Sequence, residues 1–272
     1  MLKLMKYEFR KALTAMLVLL GITAALEVWF LLSMTLEKEG QIVASVIFLF
    51  LCAYASAIFV FIRGVTTYSG ELKNRSSYLI FMTPNSALKI VGSKFLYTFL
   101  NALLFVILFG ALALADMRYM FGKYGEWESF IEGVSSLLTM NGVPVHEIAV
   151  TIATFAALTF SELISVIAIA YLAITVGHTL FRDKKWRWLP SLVLFGLMMW
   201  GMQALYNLLV AAPDAYIIYE ETVTEYASYT TSTIDPSALS MKVLLPMLGI
   251  NAATILISLF GCSAMLERKV SL

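Results

Sequence analysis

Charge is scarce in this chain: Asp, Glu, Lys and Arg make up 14% of its 272 residues, against 60% hydrophobic residues. An ordinary soluble domain carries about 25% charged residues, so this composition, with a mean hydropathy of +0.84, excludes one. Histidine and cysteine are nearly missing, with two of each. His146 precedes Glu147, but no second histidine stands one helical turn later, so a zinc-protease site is not formed, and His178 is isolated. Cys52 and Cys262 fall in separate apolar runs without metal-ligand spacing and read as small packing residues. A phosphate-cradling glycine-rich loop is also missing: Gly122-Lys123 is followed by Tyr124 and lacks the earlier glycine. The chain is therefore expected to have no catalytic residue, no metal site and no cofactor of its own, and not to be an enzyme.

What it has in abundance is apolar length. Six runs, at about 13–34, 42–62, 95–114, 151–172, 189–209 and 243–265, each approach the roughly 20 helical residues that cross a bilayer's hydrocarbon core. Lipid cannot satisfy backbone polar groups, and the runs do not alternate with period two, so helices rather than a barrel are expected. The predicted fold is a single all-α integral membrane domain over 1–272, with six transmembrane helices. Lys3 and Lys6 resemble the start of a secretory signal, but the run that follows is too long, contains Glu27 and Trp29, and lacks a small-residue cleavage site, so a retained first span is expected.

Basic residues set the orientation. Placing the N-terminus in the cytoplasm puts Lys3, Lys6, Arg10, Lys11, the basic residues of 63–94, those of 182–187, and Arg268 and Lys269 on one side, 15 of 19 in all. The opposite connections, 115–147 and 210–241, hold acids such as Glu126, Glu128, Glu132, Glu220, Glu221 and Glu225. An N-in, C-in multi-pass protein of a plasma membrane, of the bacterial cytoplasmic type, is expected. The net charge of +1 is the cancellation of two opposed polarities and implies no nucleic-acid partner.

Two cytoplasmic segments have structure of their own. In 1–11, Leu2, Met5 and Phe9 recur at helical spacing opposite Lys3, Lys6 and Arg10, which predicts an interfacial helix on anionic lipid; the alternative is a positive flank that only orients the first span. In the connection 63–94, residues 68–82 form a short mixed-charge helix stopped before Pro84. Such a helix suits docking to a soluble partner or packing on the bundle's own base. Here the residues resemble a family. Glu71, the pair Ser76-Ser77, Leu79-Ile80, the turn Thr83-Pro84-Asn85-Ser86 and the run ending Gly92-Ser93-Lys94 are similar to the first cytoplasmic loop of type-2 ATP-binding-cassette exporter permeases. Arg75 departs from the glycine often found there. The resemblance implies that 68–82 is a coupling helix, docked through Glu71, Leu72, Arg75, Tyr78 and Leu79 to a cytosolic ATPase. It also implies two such ATPase chains carrying ATP and Mg, and a second permease copy, identical or related.

Glu27 and Glu162 are acids within apolar spans, where a carboxylate is costly unless paired or wetted. They line a translocation path or, hydrogen-bonded to Thr23 and to Ser161 and Ser165, fix helix packing. Gly21, Gly110, Gly177, Gly196, Gly201, Gly249 and Gly261 read as close-packing points between helices. Outside, 126–138 presents Trp127, Phe130, Ile131, Val134, Leu137 and Leu138 on one helical face. Tyr216, Tyr219 and Tyr226 in the acidic loop 210–241 are membrane-belt anchors or an outer gate. The function expected is export of an amphipathic or hydrophobic substrate, such as a peptide, a lipid-like molecule or a drug, by alternating access. The rival readings are a secondary transporter with inverted three-helix repeats, since both long connections span 32 residues, and a non-transporting sensor or immunity protein.

Overall fold

The structure, a computed structural model, describes residues 2–73, 86–123, 128, 145–180, 188–210, 217–223, 228–234 and 239–270. Six helices dominate it: α1 (Leu2–Thr35), α2 (Glu39–Lys73), α3 (Ala87–Lys123), α4 (Val145–Leu180), α5 (Trp188–Val210) and α6 (Leu245–Val270). All six are long and apolar enough to cross a membrane, the architecture of a multi-pass membrane protein. Most overrun the apolar runs that announce them. The 34 residues of α1 and 37 of α3 extend about 50 and 55 Å at 1.5 Å per residue, against about 30 Å of hydrocarbon. Hydropathy marks only the part of a helix that lies in lipid, whereas the hydrogen-bond ladder continues until the chain meets a breaker.

This overrun changes three expectations. No separate interfacial helix is found over 2–11: with no Gly or Pro to interrupt it, this segment is the first three turns of α1. Its inner face packs on the bundle rather than on lipid, with Glu8 and Ala12 buried and the Phe9 ring edge-on to Tyr97 at 4.9 Å. Residues 68–73 end α2 instead of opening a new helix. Residues 74–85, with Arg75, Tyr78 and Leu79, lie outside the described residues, as does the Glu71 side chain. Finally, the outer connection begins later than 115, because α3 continues through Asp116 to Lys123. The stretch 126–138 is outside the described residues except for Glu128.

α4 is the axis of the bundle. It packs against α2, α5 and α6, while α3 packs against α1, α2 and α6. Ile167, Ala168, Ile169 and Tyr171 on α4 are completely buried. One core joins α1, α2, α3, α4 and α6 around Val60, Tyr97, Phe105, Ile167 and Tyr171; a second, around Ile169, Met202, Tyr206 and Met247, attaches α5 and α6 to α4. Because lipid tails are as apolar as leucine, shape and hydrogen bonds must supply specificity between such helices. Asn251 of α6 is the clearest case: its Oδ1 accepts from Ser165 Oγ at 3.0 Å and Tyr206 Oη at 2.6 Å, and its Nδ2 donates to Ser161 Oγ at 3.0 Å.

The α1–α2 turn has the hydrogen bonds of a left-handed helix cap: Lys38 N–H donates to the Ser33 carbonyl and Glu37 N–H to that of Met34. Glu37 takes the left-handed position with φ 52°, which strains a residue bearing a Cβ by about 1 kcal/mol. Its ion pair with Lys123 at 3.3 Å is 72% exposed on the Glu37 side and offsets little of that. Glu37→Gly is therefore expected to stabilise the protein by about 0.5–1 kcal/mol, read as a higher midpoint of detergent-driven unfolding; a lower midpoint would show that the ion pair outweighs the strain.

The connection to α6 departs from an all-helical chain. Strands β1 (Ile217–Val223) and β2 (Ser228–Ile234) form an antiparallel ribbon, in register from Ile217 opposite Ile234 to Val223 opposite Ser228. Runs of Ile, Tyr, Val and Thr separated by four residues are a hairpin signal. A five-residue π turn, Ser240–Leu244, then leads into α6. The wider turn ends two residues before Pro246, which lacks the N–H that a regular helical turn would use.

Candidate functional site

The most elaborate polar structure is at the end of the bundle where the 74–85 connection begins and ends. Its first stem is the end of α2. Tyr68 is buried there, its ring stacked on Tyr171 of α4 with centroids 4.2 Å apart and 9° between planes. Its hydroxyl lies 2.5 Å from Thr175 Oγ1, which in turn bonds to Cys262 Sγ of α6 at 3.4 Å. One turn earlier, the Gly64 carbonyl accepts a hydrogen bond from Tyr171 Oη at 3.1 Å, and Tyr171 Oη also meets Thr98 Oγ1 of α3 at 3.3 Å. Leu72, the one docking residue whose side chain is described, packs against the same core.

The second stem is the start of α3. Lys94 Nζ donates to Glu8 Oε1 of α1 at 3.0 Å, an ion pair only 5% and 7% exposed at its two side chains. Taking both charges out of a polar surrounding is costly, and their closeness offsets that cost. Arg63 Nη2 of α2 donates to the Lys11 carbonyl of α1 at 3.3 Å. Both stems of the loop are thus tied to α1 and, through Tyr68 and Tyr171, to the bundle axis. Sequence reading identified Lys94 as the end of a loop pattern but did not find Glu8, Tyr68 or Tyr171 as its partners. A lone Glu among Lys3, Lys6, Arg10 and Lys11 was the available signal.

A second polar region lies at membrane depth. Glu27 of α1 does not bond to Thr23, whose hydroxyl instead donates to the Leu19 carbonyl and meets Cys52 Sγ at 3.5 Å. The Glu27 carboxyl faces that of Asp116 on α3, and its Oε2 is buried without a hydrogen-bond partner. Asp116 was missed because it follows the third apolar run by two residues. Beside the pair is an apolar cavity of about 300 Å³, lined by Phe30, Phe50, Phe109 and Asp116 among others.

Glu162 is exposed at mid-span of α4, and the Ser161 and Ser165 hydroxyls expected to satisfy it serve Asn251 instead. On neighbouring α5, Gln203 and Asn207 are also exposed and bond to each other at 3.2 Å. Such groups are expensive against lipid tails.

Of the suggested outer gate, Tyr219 lies in β1 opposite Ser232, while Tyr216 and Tyr226 are outside the described residues. Both cysteines are free and occupy helix contacts, as expected of packing residues. The glycines divide differently from expectation. A Cβ added at Gly21, Gly110, Gly196, Gly201 or Gly249 meets nothing within 4 Å among the described residues; at Gly261 it meets Leu172 Cδ1 at 3.0 Å, and at Gly64 it meets Thr98 Cγ2 at 2.8 Å. Close packing is therefore shown at Gly261, as expected, and at Gly64, a position with no distinguishing sequence pattern. No family model, no curated protein and no solved structure matches this chain.

Proposed function

We propose that this chain is the permease subunit of an ATP-driven exporter of the type-2 class, paired with an identical or related permease and with two separate cytosolic ATPase chains that bind ATP and Mg. The observation that carries this reading is the anchoring of the 74–85 connection. Its stems hold Tyr68 against Tyr171 and Lys94 against Glu8, so a displacement applied to the connection would move α1, α2, α3 and α4 together rather than being absorbed by a slack loop. That is the mechanical requirement for a loop carrying the pattern from Glu71 to Lys94. The N-in orientation expected from the basic residues puts this end in the cytoplasm.

Exposed Glu162, Gln203 and Asn207 support the paired arrangement. A second copy or a wetted path covering this face removes the cost of presenting them to lipid. With few charges along the spans, the cargo fitting such a path is amphipathic or hydrophobic: a peptide, a lipid-like molecule or a drug.

Recovery of the tagged chain in mild detergent is expected to bring down a soluble protein with ATPase activity. The charge reversal Glu71→Lys/Arg75→Glu is expected to reduce the ATPase recovered by about tenfold, equivalent to 1.4 kcal/mol of docking free energy, while the chain stays folded. Undiminished recovery would refute the docking assignment. If no ATPase co-purified, the Glu27–Asp116 pair and its cavity would favour the second reading, an ion-coupled secondary transporter.

A further inference from the structure

The cavity of about 300 Å³ beside Glu27 and Asp116 is enclosed by α1, α2 and α3, at the opposite end of the bundle from the loop stems. Phe30 of α1, buried, forms its floor, and Phe50 of α2, exposed, stands at its mouth. Ala53 of α2 and Ala113 of α3 are the small residues that leave the space open. The rest of the lining is aliphatic, aromatic or thioether except for Asp116, its one charged group. Glu27, one helical turn before Phe30, faces the Asp116 carboxyl, and its buried Oε2 has no hydrogen-bond partner among the described residues. The volume lies at the lower end of the range for small-molecule sites.

We propose that this cavity binds a lipophilic organic cation, an ammonium or phosphonium bearing apolar groups, with its charge held at the Glu27–Asp116 pair. The lining and the pair together select this class. Two carboxyls that face each other in an apolar surrounding repel unless a proton or another cation stands with them. A proton satisfies the carboxyls but makes no use of the apolar walls. A hard metal ion takes about six or more oxygen ligands, and beyond the carboxyls these walls present carbon and thioether sulfur. A lipid tail fits the walls but brings no charge to the pair. An organic cation does both: its charge needs no directed oxygen ligand, its apolar groups fill the cavity, and Phe30, Phe50 and Phe109 offer ring faces to a cation. Access is through the bilayer, where such a molecule concentrates. On the exporter reading the ligand is cargo, but the site does not require that reading.

Equilibrium binding to the full chain in phosphatidylcholine nanodiscs, with empty discs as background, tests the proposal. The probes are (naphthylmethyl)trimethylammonium and its uncharged isostere, in which a tert-butyl group replaces the trimethylammonium. The cation is expected to bind saturably, one per chain, at least about tenfold more tightly than the isostere. Asp116→Asn, which removes the charge from the lining without changing its shape, is expected to abolish that preference. Ala113→Phe, which fills the cavity, is expected to weaken cation binding by about tenfold. Ala113 is exposed, so this variant keeps the test decisive should the change at Asp116 disturb folding. Equal binding of the two probes, unchanged cation affinity in either variant, or binding no greater than to empty discs would each overturn the assignment. None of these outcomes depends on recovery of an ATPase, so this site and the exporter reading stand or fall separately.

Discussion

Lys94→Met is expected to destabilise the bundle by about 3–5 kcal/mol, the usual cost of leaving one member of a buried ion pair without its counter-charge. Glu8 and Lys94 are 6% and 4% exposed and their charged atoms lie 3.0 Å apart, so neither charge can reorient to solvent when the other is removed. The double variant Glu8→Met/Lys94→Met is expected to recover most of the loss, because two apolar side chains of similar volume remove both desolvation penalties at once. The check is a double-mutant cycle on detergent-driven unfolding, followed by loss of helical circular dichroism. Additive losses in the double variant would show that each residue acts through packing alone. If the pair also transmits motion from the 74–85 connection, the double variant, though folded, should show ATPase activity that no longer responds to substrate.

Gly64→Leu is expected to cost about 2–3 kcal/mol, the range for forcing extra methylenes into a filled interior. A Cβ at this position meets Thr98 Cγ2 at 2.8 Å and Thr98 Oγ1 at 3.2 Å, with Ile167 Cγ2 at 3.6 Å behind them. Thr98 cannot easily give way: it is buried, β-branched, and its hydroxyl is committed to the Lys94 carbonyl at 3.0 Å. Any shift also disturbs the hydrogen bond from Tyr171 to the Gly64 carbonyl. Gly64→Ala is the finer test, since alanine gains about 1 kcal/mol in a helix interior but pays an overpacking cost of the same order or larger; a net loss of up to about 2 kcal/mol is expected. Gly21→Ala and Gly110→Ala, where an added Cβ meets nothing within 4 Å, supply the contrast and should be neutral or stabilising. If Gly64→Ala stabilised the protein as much as those controls, the close approach of α2 and α3 would be refuted.

The candidate site was legible in the sequence only in part, and for a definable reason. Lys94 and Leu72 belong to a local pattern, and local patterns are visible in one dimension. Glu8 is 86 residues from Lys94, and Tyr68 is 107 from Thr175, so nothing in their neighbourhoods marks them as partners. Tyr68 falls at the start of the mixed-charge helix expected over 68–82, because a tyrosine there looks the same in sequence whether it faces an ATPase or another span. Glu27 was singled out because acids are rare in apolar runs, but Asp116 was not, because the same helix carried it just beyond the run. The serines beside Glu162 were assigned to it by proximity along the chain, whereas Asn251, approaching from α6, offered a better-placed partner.

By itself the sequence determined that six apolar segments of membrane-spanning length are helices, because lipid leaves the backbone no other way to satisfy its polar groups. It also determined that basic residues gather at alternate connections. The tertiary structure alone decided that the N-terminal turns belong to the first spanning helix, that Gly64 has no room for a Cβ beside Thr98, and which polar groups meet. In a bilayer, burial of apolar surface does not distinguish one helix face from another, since lipid and protein are equally apolar. The choice falls to shape and a few hydrogen bonds between residues far apart in the chain, and these exist only once the helices are assembled.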